Sequence, residues 1–145
     1  MEGYGKRVLI AQDDEDARNL LSMVLGKEGY SVHTAPDGQH ALEKMKKRRF
    51  DVVIADHHRP KMNGVHLVLL GRLVWPDTPI ILLTMMLPSA DNSSLTELSE
   101  RERPYGCLRK PYDLTELLGL MRNAILTAQI HQAHRTTPET LSACQ

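Results

Sequence analysis

Net charge is the first thing missing: 18 Lys and Arg balance 18 Asp and Glu. A domain built mainly to hold nucleic acid is usually basic, so direct nucleic-acid binding starts at a disadvantage. Cysteine is scarce too. Cys107 and Cys144 lie far apart, in no metal-ligand spacing, and cannot form a disulfide framework. A reducing cytosol is the default compartment for such a chain. No apolar run approaches the length of a membrane span. Met1 to Arg7 leads into only four apolar residues, which is not the core of a secretory signal. The expected location is therefore cytoplasmic, with no membrane partner. Gly-rich phosphate loops are also lacking: neither GxGxxG nor GxxxxGK followed by Ser or Thr occurs, so a nucleotide cofactor has no support.

What remains is an ordinary globular composition, 41% apolar and 25% charged over 145 residues. That is close to the length of one domain and enough to bury roughly two-thirds of the unfolded surface. Short apolar runs alternate with stretches of helical period. The runs are Val8 to Ala11, Ser31 to Ala35, Val52 to Ala55 and Ile80 to Leu83, with a weaker one around Cys107 and Leu108. Three of them are nearly uninterrupted, as parallel strands covered on both faces are. Ala17, Leu20, Leu21, Val24 and Leu25 make a helical stripe that stops near Gly29. A second helix follows Pro36-Asp37-Gly38 and ends in the basic residues 44 to 49, which suit a helix C-terminus. Val65 to Val74 predicts a third. Ser94-Leu95-Thr96-Glu97 and Asp113-Leu114-Thr115-Glu116 have capping-box spacing and open two more. Five strands alternating with five helices predict a parallel sheet with right-handed crossovers. Residues 88 to 93 read as a flexible loop. From about Gln129 the chain is expected to trail off. The division is one domain over 1–128, then a C-terminal helix extension and flexible tail over 129–145.

The strong strands end in polar residues: Gln12-Asp13-Asp14-Glu15, then Asp56, Thr84 and Lys110-Pro111. C-terminal strand ends form the ligand crevice of an open parallel sheet. Strands sit about 4.8 Å apart, so these groups can converge. Carboxylates that close repel one another, and a hard cation such as Mg2+ with oxygen ligands relieves the repulsion. Lys and Thr beside it suit a bound anion, with phosphoryl as the obvious candidate.

On these residues the chain resembles the receiver domains of bacterial two-component response regulators. VLIAQDDEDARNLL is similar to the family's first strand and helix, and GYSVHTAPDGQHALE to its second pair. FDVVIADHHRPKMNG carries the D-x-x-x-P-x-x-x-G pattern around the phospho-accepting aspartate. TPIILLT and LRKPYDLTELL match the last two strand ends, so the similarity spans about residues 6 to 128. The resemblance implies an α/β, doubly wound (βα)5 flavodoxin-like sandwich of three layers, its five-stranded parallel sheet ordered 2-1-3-4-5. It also implies site roles. Asp56 takes a phosphoryl group from a sensor histidine kinase or phosphotransfer protein. Asp13, Asp56 and the backbone carbonyl of His58 hold Mg2+, with Gln12 and Asp14 as water-mediated candidates. Lys110 pairs with the phosphoryl oxygens, over a bond to Pro111 that is often cis in the family, and Thr84 is the switch hydroxyl. Such a domain is a signalling phospho-acceptor that promotes its own phosphotransfer and dephosphorylation, rather than an enzyme in the usual sense. Its output is a protein partner, or self-association through the last strand and the helices opening at Ser94 and Asp113.

Several positions depart from the family pattern. Gln12 stands in place of the first of two acidic residues, which removes a charge near the metal. Met85 follows Thr84 where a small residue is usual. Cys107 takes the switch position normally held by Tyr or Phe, Arg59 replaces Met before Pro60, and the stretch from Thr84 to Lys110 is longer than usual. Gln12, Met85 and Cys107 support an alternative: a phosphorylation-independent pseudo-receiver acting as a scaffold or dimerisation module. A third reading is a Mg2+-dependent phosphohydrolase with Asp56 as nucleophile. It is opposed by His58 at the acid/base position and by the lack of a cap insertion. Other features have plainer explanations. His57 and His58 point apart if they continue a strand and so make a poor zinc pair. His131 and His134 read as solvated, as do the basic residues 44 to 49. Met85 and Met86 read as packing, and Cys107 as a small core residue.

Overall fold

The computed structural model describes residues 4–56, 64–84 and 104–136. Five strands, β1 (Arg7–Ala11), β2 (Ser31–Ala35), β3 (Val52–Asp56), β4 (Ile80–Thr84) and β5 (Gly106–Arg109), form one parallel sheet in the order β2-β1-β3-β4-β5. This is the topology expected from the sequence. The uninterrupted apolar runs became its interior. Every residue of β3 and β4 is buried, and in β1 only Arg7 at the start is exposed. The edges β2 and β5 are mostly half-buried.

The described helices are α1 (Glu15–Lys27), α2 (Gly38–Lys47), α3 (Gly64–Val74) and α4 (Leu114–Thr136). Strand alternation sends side chains to two cores. Val8, Ile10, Val52, Ile54, Ile81 and Leu83 pack with Leu21 and Leu25 of α1 and with Leu117, Met121 and Ile125 of α4. Leu9, Ala11, Val53, Ala55, Ile80 and Leu82 pack with Ala41 and Met45 of α2 and with Leu67 and Val68 of α3. The sheet is thus the middle of three layers.

Local chemistry sets the helix ends. Asp14 caps α1 by accepting from the Ala17 N–H at 3.0 Å, and Asp37 caps α2 by accepting from the His40 N–H at 2.8 Å. At the far end of α1, Gly29 adopts φ 95°. Its N–H donates to the Gly26 carbonyl, and that of Tyr30 donates to Leu25. This pattern satisfies the last carbonyls and needs a residue without a Cβ. Asp113 accepts from the Thr115 N–H at 2.9 Å and opens α4.

One expectation needed correction. Leu20 is 60% exposed rather than part of the core stripe. The buried line of α1 is centred on Leu21 and Leu25, which puts Leu20 and Met23 on the outer side. Beyond Gln129, where a helix extension and tail were expected, α4 runs unbroken to Thr136. Ala, Gln and Ile continue without Gly or Pro, and all are tolerated in a helix. Some expectations fall outside the described residues: the helix opening at Ser94, the loop at 88 to 93, and His57, His58, Arg59, Met85 and Cys144. Among the described residues no helix is long and apolar enough to cross a membrane.

Candidate functional site

Register places the polar residues. Ala11 pairs with Ala55, and Asp56 pairs with Leu83, so Gln12 lies one step past β1 and Thr84 is the last residue of β4, the two strands that flank β3. Arg109 pairs with Thr84, and the Lys110 N–H donates to the Thr84 carbonyl at 2.7 Å. Asp56, Thr84 and Lys110 therefore meet at one end of the sheet. Asp13 and Asp14 stand at the same end, in the exposed turn from β1 into α1.

Asp56 is 5% exposed and Thr84 1%. Lys110 Nζ lies 2.5 Å from Asp56 Oδ1, an ion pair by distance. The approach lacks hydrogen-bond geometry, however, and Oδ1 has no hydrogen-bond partner among the described residues. Burying a carboxylate is costly, and the Lys110 ammonium supplies the charge that offsets it while leaving a hydrogen bond to Oδ1 unmade. The bond between Lys110 and Pro111 is cis.

The Gln12 side chain is nearly buried and turns toward the start of α1, where its Oε1 accepts from the Asp14 N–H at 3.3 Å. Its backbone carbonyl accepts from Arg18 Nη1 at 2.8 Å. A guanidinium thus lies beside the acidic turn and offsets part of the repulsion there. Cys107 is half-buried and packs against the α2–α3 core. Burial pushes its thiol above the ordinary value, which disfavours the thiolate.

Two neighbours escaped the sequence reading. One is Arg18, a helical turn beyond Asp14. The other is Tyr112, whose phenol is pushed up by burial first and by the negative charge of Asp56 second. The signal for Arg18 was its spacing on α1. Tyr112 had only its place two residues after Lys110.

Oxygen donors from Asp13 and Asp56 fit a hard cation, and the buried Asp56 oxygen, ion-paired with Lys110 but without a hydrogen bond, is the structural feature that argues for one. Among the described residues no group of three or more His, Cys, Asp or Glu side chains could hold a metal. The third protein ligand expected, the His58 carbonyl, lies outside them. A separate cleft of about 320 Å³ opens at the opposite ends of the strands, lined by Tyr4, Lys6, Tyr30, Arg122, Ile125, Leu126 and Gln129. It contains no carboxylate and cannot act as an acceptor.

The sequence profile described as "Response regulator receiver domain" matches residues 8–122. The response regulator receiver protein CpdR of Brucella abortus is 30% identical over 123 residues, which cover 85% of this chain and 99% of CpdR. Response regulator MprA of Mycolicibacterium vanbaalenii is 34% identical over 133 residues, 92% of this chain. The match spans only 52% of MprA, so the chain accounts for about half the length of that relative. Among solved structures, the response regulator TrrA of Thermotoga maritima superposes with a TM-score of 0.70 at 29% identity, covering 82% of this chain and 98% of TrrA. TrrA was solved in complex with Mg2+ and beryllofluoride.

Proposed function

Because this chain belongs to the response regulator receiver domain family of two-component systems, we propose that Asp56 accepts a phosphoryl group from the phosphohistidine of a sensor kinase or phosphotransfer protein. A carboxylate oxygen of Asp56 forms the new O–P bond while the N–P bond of the donor breaks. The electron pair stays on the imidazole nitrogen, which then takes a proton from solvent. Lys110 shifts from the carboxylate to the phosphoryl oxygens, and the Thr84 hydroxyl turns toward them. Phosphoryl transfer needs mainly in-line positioning and neutralised oxygens, which these residues supply.

The observation that best supports this reading is the buried Asp56 oxygen that meets Lys110 but completes no hydrogen bond. Receiver domains of this family bind Mg2+. Here Asp13, Asp56 and the His58 carbonyl would hold the ion, with Gln12 and Asp14 acting through water. Bound there, it would offset charge on the carboxylate and phosphoryl oxygens. Phosphorylation leaves about 1.5 to 2 negative charges at Asp56 if the acyl phosphate behaves like other phosphoryl groups. The receiver unit is taken as residues 1–128. The charge change would be passed to a protein partner, or to a second copy through β5 and the helices around it.

The second reading, a phosphorylation-independent scaffold, is favoured by Gln12, whose amide is already engaged by the Asp14 N–H. Intact mass after incubation with Mg2+ and acetyl phosphate separates the two. The acceptor reading expects a gain of one phosphate in the parent chain and none in Asp56→Asn. Beryllofluoride, which TrrA binds, checks against a poor donor or a short-lived adduct. No phosphate gain and no bound beryllofluoride would leave the scaffold.

A further inference from the structure

The alternation of β5 turns Leu108 toward the α1–α4 core and Cys107 toward the α2–α3 core. The position where an aromatic side chain would follow the state of Asp56 is thus filled by a small thiol. The aromatic residue nearest to Lys110 in sequence is Tyr112, on the other side of the sheet. It is half-buried and packs against the core that holds Leu21 of α1 and Leu117 and Met121 of α4. That core also contains Leu83, the strand partner of Asp56.

We propose that Tyr112 is the aromatic residue that registers the state of Asp56 in this chain, and that it carries the change to α1 and α4. It is a positioning residue, acting through the segment it shares with Lys110, and it rests on the acceptor reading given above. Two features of the cluster support it. Lys110 is held at Asp56 Oδ1 now, and its transfer to phosphoryl oxygens would move the turn that carries Tyr112. The phenol also lies within the electrostatic reach of Asp56. A phenolic O–H can donate to an anion, and a stronger anion at Asp56 draws it harder. Packing of the ring against this core then converts a charge change into a shape change.

The test uses the full chain with ring-13C tyrosine, followed by NMR as beryllofluoride and Mg2+ are added. The bound 19F signal reports occupancy at Asp56 independently. The expected result is a shift of the Tyr112 ring resonance, assigned by its loss in Tyr112→Phe. That variant should bind beryllofluoride as the parent does yet lose at least half of the amide shift changes along α1 and α4. Tyr105→Phe, which removes another phenol packed on the same core, should keep them. Bound beryllofluoride with an unmoved Tyr112 ring would overturn the proposal, as would a full amide response in Tyr112→Phe. If no bound 19F signal forms, the acceptor reading falls and this proposal with it, a failure distinct from the other two.

Discussion

Val8, Ile10, Val52, Ile54, Ile81 and Leu83 face α1 and α4, whereas Leu9, Ala11, Val53, Ala55, Ile80 and Leu82 face α2 and α3. The α1–α4 side carries more of the large aliphatic side chains, since Ala11, Ala35, Ala41 and Ala55 all lie on the α2–α3 side, and the two sides differ also in their aromatic residues. The α1–α4 side holds phenols: Tyr30 in the core, with Tyr105 and Tyr112 packed against it. The α2–α3 side holds Phe50 and Trp75. Trp75 is tied to the end of α2, its Nε1 donating to the Met45 carbonyl at 2.6 Å. Phe50 meets the His33 ring edge-on at 5.3 Å. These aromatics fasten the end of the sheet away from Asp56. A phenol can pack and still respond to charge, so the side carrying Tyr112 is the one equipped to follow the site.

If both cores carry stability equally, breaking either should cost the same. Met121 and Met45 are each fully buried, one on each side. Met121→Ala and Met45→Ala should each lower unfolding free energy by about 2–5 kcal/mol, the usual range for such truncations. Since the sheet separates them, the double variant should be nearly additive. Urea denaturation of the four proteins checks both points. Strong coupling would mean that the two sides are not independent layers. Gly29→Ala comes next in size. Forcing a Cβ into φ 95° should cost about 1–2 kcal/mol. The loss falls on the α1–α4 side alone, because Gly29 sets where α1 stops and where Tyr30 enters that core.

The sheet was legible in the sequence because each central strand is an apolar run ending in a polar residue. A parallel sheet gathers those ends, which is why Asp56, Thr84 and Lys110 could be named before their geometry was known. Leu20 was misplaced because a helical stripe read from sequence is wider than the line a sheet covers. Leu20 and Leu21 differ by about 100° around α1, and only Leu21 reaches the core. Tyr112 could not be found by spacing. Its relation to Asp56 depends on how the chain turns after Lys110, and periodicity says nothing about such a turn. The orientation of Gln12 was hidden for a similar reason, since its amide partner is a backbone N–H.

The smallest effect expected separates the two sides by pH. His33 pairs with Leu9 in register and faces Phe50 on the α2–α3 side. Burial, then the positive charges of Arg48, Lys44 and Arg7, holds its pKa below the ordinary 6.5. Below pH 6.5 the unfolded chain therefore takes a proton that the folded chain resists. The unfolded state binds more protons in that window, so stability falls as pH drops from 6.5 toward the folded value. About a pH unit or more above 6.5 both states are neutral at His33 and its contribution is flat. His33→Gln, neutral throughout, should reduce the slope of stability against pH on the acid side of 6.5 and leave the slope in that flat range unchanged. Urea midpoints of both proteins between pH 5 and pH 8 would show this. An unchanged acid-side slope would mean that solvent screens the Arg48, Lys44 and Arg7 charges from the ring, and that the edge of this side does not sense pH.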